Sequence, residues 1–89
     1  MNIEKTVKHY VYMLRCADGT IYSGYTTDPN RRVAIHNRGL GAKYTRSRLP
    51  VELVFVENHA TKSEALKREA ALKKLARAEK LLLIEQFTV

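Results

Sequence analysis

The chain has 89 residues, 45% of them hydrophobic, with one cysteine and a formal charge of +7. That is room for one folded domain with a modest core, and the composition excludes a disordered chain. A lone cysteine excludes a disulfide framework, no apolar run reaches the length of a membrane span, and Met1-Asn2-Ile3-Glu4-Lys5 lacks the apolar core of a signal peptide, so a cytoplasmic protein is expected.

Residues 1–7 read as a loose leader and residues 8–87 as a single domain. His9 to Arg15, rich in Tyr, Val and Met, predicts a strand that is apolar on both faces. Ala17-Asp18-Gly19 predicts a turn, and residues 20–25 a returning strand. The length of this turn decides which side chains meet. A two-residue Asp-Gly turn pairs Arg15 with Tyr22 and sends Tyr12 and Tyr22 to opposite faces. A three-residue turn with Gly19 left-handed pairs Leu14 with Tyr22 and puts both tyrosines on one face.

Asp28 before Pro29 predicts a helix start, a carboxylate cap followed by a proline whose missing N–H costs nothing there. The helix is expected to run through Asn37 and stop at Gly39, with Pro29, Arg32 and His36 projecting together. Residues 41–47 are ambiguous and compatible with a short helix. Residues 51–57, approached through Leu49-Pro50, predict a third strand. Thr61-Lys62-Ser63-Glu64 has capping-box spacing and opens a long helical stretch. Residues 73–77 hold no clear breaker, which leaves one long helix or two joined by a kink. The expected fold class is α/β (α+β): a small three-stranded antiparallel sheet flanked by helices.

Between Asp28 and Glu52 there is no acidic residue, while Arg31, Arg32, Arg38, Lys43, Arg46 and Arg48 fall in that window with Tyr44 among them. Such one-sided charge favours a phosphate-binding face over a merely solvated one. The basic residues further on are mixed with glutamates and carry no such bias. Glu69 falls on a helical arc with Ala65, Leu72 and Ala76, flanked by Leu66. A carboxylate on an apolar stripe needs compensation. Two sources are open: an ion pair with Lys73 four residues on, or a divalent cation such as magnesium, which often takes a single protein carboxylate. Arg32 and His36 suit a phosphate and a proton carrier. The tyrosines of the hairpin are by default packed aromatic bodies with the hydroxyl at the edge. His9 and His59 lie at element ends. Cys16 has no matching Cys/His cluster for zinc, and no glycine-rich phosphate loop is present.

The order Tyr10-Val11-Tyr12, Tyr22-Ser23-Gly24, Arg32, His36 and Glu69 resembles the GIY-YIG nuclease superfamily over nearly the whole chain. The segments Gly24-Tyr25-Thr26-Thr27-Asp28 and Gly41-Ala42-Lys43-Tyr44-Thr45-Arg46 are similar to its YhbQ-like stand-alone bacterial subgroup, uncharacterised protein family 0213. Two positions depart from the motifs: Tyr10 replaces the first glycine and Ser23 the middle residue of the second. The resemblance implies a metal-dependent endonuclease that hydrolyses DNA phosphodiester bonds, in a setting of DNA repair or recombination. It implies Tyr12, Tyr22, Arg32 and His36 as catalytic residues, with Tyr12, Tyr22 and His36 all open as the general base. It implies Glu69 as ligand of one Mg²⁺ and Gly24 as structural. DNA would be held by Arg31, Arg38, Lys43, Tyr44, Arg46 and Arg48, with a protein partner supplying specificity and no membrane involved. The rival expectation is a non-catalytic nucleic-acid-binding or partner-binding module on the same fold.

Overall fold

In the computed structural model, which describes residues 7–87, the apolar run His9–Arg15 forms β1, buried on both faces as its pattern predicts. It lies at the centre of a three-stranded antiparallel sheet in the order β2–β1–β3, where β2 is Ile21–Thr26 and β3 is Glu52–His59. The expected leader lies outside the described residues apart from Val7, which is exposed.

The hairpin takes the three-residue turn. Cys16 and Thr20 close it, the Cys16 N–H donating to Thr20 O at 2.9 Å, and Gly19 sits at φ 84° with its N–H on Cys16 O. Leu14 therefore pairs with Tyr22 and Tyr12 with Gly24, so both tyrosines share a face.

Helix α1, Pro29–Asn37, begins as its sequence demands, with Asp28 Oδ1 accepting from the Arg31 N–H at 3.2 Å. It ends at Gly39 (φ 77°), whose N–H reaches His36 O at 2.9 Å while Leu40 N–H reaches Ile35 O at 3.1 Å. The ambiguous stretch contains a short helix α2, Lys43–Arg46. Asn37 then ties the end of α1 to the start of β3: its Nδ2 donates to Val51 O at 3.0 Å and its Oδ1 accepts from Val51 N at 2.7 Å. β3 runs two residues beyond its expected end because His59 still pairs with His9. A bulge opposite Met13 and Leu14 turns two successive residues, Val54 and Phe55, into the core.

The last stretch resolves into two helices, α3 over Lys62–Lys74 and α4 over Arg77–Phe87. Leu75 is extended (φ −69°, ψ 145°) and packs on the core, and Glu79 Oε1 accepts the Ala76 N–H at 3.0 Å to start α4. The break removes Ala76 from the expected stripe and exposes it, whereas Ala65 and Leu72 are fully buried.

The sheet thus carries different layers on its two faces. Val11 and Met13 meet Ala65, Leu72 and Ile84 of α3 and α4, while Tyr12 and Leu14 face Val33 of α1 together with Val51 and Cys16. No described helix is long and apolar enough to cross a membrane.

Because the turn needs a left-handed residue and a Cβ at Gly19 would meet nothing within 4 Å, substitution there acts through backbone strain alone. Gly19→Ala is expected to lower the unfolding free energy by about 1–2 kcal/mol and Gly19→Asn by less, since Asn tolerates that region. Urea melts of both variants check this; equal stability of all three proteins would exclude the turn as a register-setting element.

Candidate active site

Tyr12 projects from the central strand onto the α1 face, where it is 1% exposed, and a buried phenol needs a hydrogen-bond partner. It finds His36, fully buried on the last turn of α1, with Tyr12 Oη 3.0 Å from His36 Nε2. The other ring nitrogen, Nδ1, is 2.7 Å from Thr45 Oγ1, and Thr45 Oγ1 donates to Ala42 O at 2.9 Å. That last bond fixes the direction of the chain. The Thr45 hydroxyl has spent its one proton on a carbonyl, so it accepts from His36 Nδ1–H. Neutral His36 then carries a bare Nε2, and the Tyr12 hydroxyl donates to it.

Charge supports this assignment. Burial, with the positive charge of Arg32 adding to it, holds His36 below its ordinary 6.5, which keeps the imidazole neutral at pH 7. Burial pushes Tyr12 up to about 12; Arg32 beside its hydroxyl works against the rise, and Tyr22 and the Glu69 carboxylate add to it. Tyr12 is therefore the donor, and Arg32 and Glu69 both act on it.

Two glycines clear the space. A Cβ at Gly24 would fall 2.5 Å from Tyr12 Oη, and one at Gly41 would run into the imidazole ring of His36. Gly24 lies directly across from Tyr12 in the sheet, so the phenol passes over bare backbone. Gly41 lets the loop between α1 and α2 press on the imidazole. Around this pair the aromatics continue outward. Tyr22 meets His36 edge-on at 5.4 Å between centroids and stacks on Tyr44 at 5.9 Å, and the Arg48 guanidinium lies 4.0 Å over the Tyr44 ring.

The remaining expected residues divide by partner. Arg32 is half-buried, with no carboxylate partner among the described residues, and lines a cleft with Arg31, Thr26 and Asp28. Arg31, Arg38, Lys43 and Arg46 are exposed. Arg48 is engaged internally, its Nε 3.0 Å from Asp18 Oδ2 and its Nη1 donating to Tyr44 O at 2.7 Å. Glu69 comes from α3, in the layer on the opposite face of the sheet from Tyr12. Its side chain is 18% exposed at the margin of the helix interface and pairs with Lys73 at 3.0 Å. The ion pair open in the sequence is formed.

Among the described residues no group of three or more His, Cys, Asp or Glu side chains could hold a metal. A single half-buried carboxylate does suit magnesium, which takes one protein carboxylate and completes its shell with water and phosphate oxygens, and it does not suit zinc. Glu69 is the side chain that would hold the ion.

The sequence reading missed Thr45, Gly41 and Asn37. Thr45 and Gly41 lie in the segment whose structure was ambiguous, where no periodicity marks an inward face. The signal for them was the subgroup resemblance of Gly41-Ala42-Lys43-Tyr44-Thr45-Arg46, which marks the segment without assigning either residue a part. Ser23, the departure in the second motif, is 3% exposed, and its Oγ finds no hydrogen-bond partner among the described residues.

Residues 8–81 match the family model described as the GIY-YIG catalytic domain. A UPF0213 protein of Staphylococcus epidermidis is 54% identical over 79 residues, 89% of this chain and 96% of that protein. One of Staphylococcus aureus is 55% identical over 78 residues, 88% and 95% of the two chains. The solution NMR structure of the UPF0213 protein of Bacillus halodurans is similar with a TM-score of 0.58 at 47% identity, covering 89% of this chain and 84% of that one. That of a protein from E. faecalis reaches 0.61 at 48% identity over 99% and 92%. The family match spans all three strands and reaches into α4, and the relatives align over nearly their whole lengths: this chain belongs to the GIY-YIG catalytic domain family, among its UPF0213 members.

Proposed function

We propose that this protein is a metal-dependent endonuclease that hydrolyses DNA phosphodiester bonds, with Tyr12 and His36 as its proton relay. The observation that carries the reading is the oriented chain from Tyr12 Oη to His36 Nε2, with Nδ1 held by Thr45. A catalytic tyrosine at about 12 does not exist as a free phenolate: at pH 7 that form lies about 7 kcal/mol uphill. Proton loss therefore accompanies attack. Water gives its proton to Tyr12 Oη as Tyr12 passes its own to His36 Nε2, so no isolated phenolate forms. Arg32, beside Tyr12 and without a carboxylate partner among the described residues, binds the scissile phosphate and stabilises its growing charge. Tyr22 packs against His36 and positions it. A magnesium ion on Glu69 would supply Lewis-acid stabilisation of the phosphate oxygens. Arg31, Arg38, Lys43 and Arg46 contribute phosphate contacts, and a protein partner supplies target specificity. The free, buried Cys16 fits a reducing cytoplasm.

The Glu69–Lys73 ion pair at 3.0 Å favours a second reading. In it the carboxylate is structural and the protein binds nucleic acid without cutting it.

The two readings separate in a cleavage assay on labelled single-stranded, duplex and branched DNA with Mg²⁺. Tyr12→Phe and Glu69→Ala are expected to lose at least about 10²-fold in rate while keeping DNA affinity. Thr45→Val, which frees the imidazole to take the wrong tautomer, should lose about 10-fold. Cleavage by Glu69→Ala at the parent rate would exclude the proposed mechanism, and binding without cleavage by the purified parent would leave the second reading.

The depressed His36 also sets a pH dependence. An unfolded histidine binds its proton near 6.5 and the folded one only at lower pH, so between those values the unfolded chain holds more protons. The stability that His36 contributes is thus complete above about 6.5 and is lost as pH falls through that value, levelling off below the folded pKa. Urea midpoints measured from pH 7.5 to 5 should decline on the acid side, and His36→Gln should flatten the decline. Cleavage by the folded protein should fall only at lower pH, as His36 protonates at its depressed value, because protonated His36 cannot accept from Tyr12.

A further inference from the structure

β2 is an edge strand, and its outer side faces a groove that joins the two faces of the sheet. A cleft of about 300 Å³ there is lined by Tyr22 and Tyr44 from the active-site side and by Ile21, Ser23, Lys73 and Lys80. It shares Ile21 and Lys80 with a second cleft of about 120 Å³, lined also by Thr20 and Arg77. No acidic residue lines either one. In the sequence these cations are mixed with glutamates, and the fold turns two of those glutamates away from the groove. Glu79 caps α4 and lines a different cleft with Arg68 and Leu82, while Glu85 lies near Arg15 and Glu52. Arg77 Nη1 donates to Gly19 O at 2.7 Å and so anchors the far end of the groove to the hairpin turn. Lys73 is held by Glu69. Lys80 makes no ion pair among the described residues.

We propose that this groove around the β2 edge is a nucleic-acid subsite, in which Lys80, with Lys73 beside it, binds non-scissile phosphates of the strand that enters the active site past Tyr22. The inference rests on the nuclease reading for its ligand but assigns residues outside the basic segment 31–48. The groove begins at the tyrosine that packs on His36, no carboxylate lines it, and of its lysines Lys80 makes no ion pair among the described residues while Lys73 is paired with Glu69 from outside it. Polyanion binding at such a surface is driven by counterion release, so each phosphate contact has a measurable salt signature.

The test is anisotropy binding of labelled single-stranded and duplex DNA by the full chain, without divalent metal, over a salt series. Lys80→Ala and Lys80→Glu are compared with Lys67→Glu, which changes an exposed lysine of α3 that lines neither cleft. Lys80→Glu should weaken binding at least about 10-fold. Lys80→Ala should reduce the slope of log K against log salt by about 0.7–0.9, the loss of one phosphate contact. Lys67→Glu should stay within about 2-fold of the parent. Equal losses in Lys80→Glu and Lys67→Glu, or none in either, would overturn the subsite and leave these lysines as guards of an exposed sheet edge. A parent that binds neither DNA at low salt would instead refute the nuclease reading itself.

Discussion

The rest of the molecule is arranged around a buried polar chain. Tyr12 and His36 are both buried, and each would be destabilising without a partner; together with Thr45 and the Ala42 carbonyl they satisfy one another in sequence. Much else follows from that requirement. Gly24 and Gly41 are glycines because a Cβ at either place would occupy the space of the phenol or the imidazole. The segment after α1 must fold back so that Thr45 reaches Nδ1, and the Asn37–Val51 bonds hold the neighbouring chain in register while it does. The structural demand and the chemical opportunity coincide: the same bond that satisfies the buried tyrosine aims its proton at a neutral base.

The electrostatics show how one environment moves two groups in opposite directions. Burial disfavours the charged form of each, so it lowers the histidine and raises the tyrosine. Arg32 lies close enough to act on both, lowering each of them, and Glu69 acts on the tyrosine from the other helix layer. The field at Tyr12 is therefore set from both layers, by Arg32 on α1 and by Glu69 on α3.

Much of this was legible in the chain itself. The strand His9–Arg15, the three-residue alternative for the turn, the Asp28-Pro29 start and the Thr61 cap all rest on local chemistry, and each appears in the structure. Local chemistry was insufficient at residues 73–77, where Leu75 leaves the helix for the core and Ala76 is exposed. No residue type announces that break, because its cause is the packing of α4 on β3. The even choice at Glu69 was also a limit of local information, since a helical wheel gives the direction of a side chain and not what lies opposite.

The sequence by itself determined most of the elements and their order, because caps, turns and strand alternation act over a few residues; it left the hairpin turn between two alternatives, and only the family resemblance drew Tyr12, Tyr22, Arg32, His36 and Glu69 together. Only the tertiary structure decided the hairpin register, the tautomer of His36, the parts of Thr45 and Gly41, the internal pairing of Arg48 and the acid-free lining of the clefts along the β2 edge. Most of these depend on side chains far apart in sequence meeting at a few ångströms, and contacts of that kind exist only once the layers have packed.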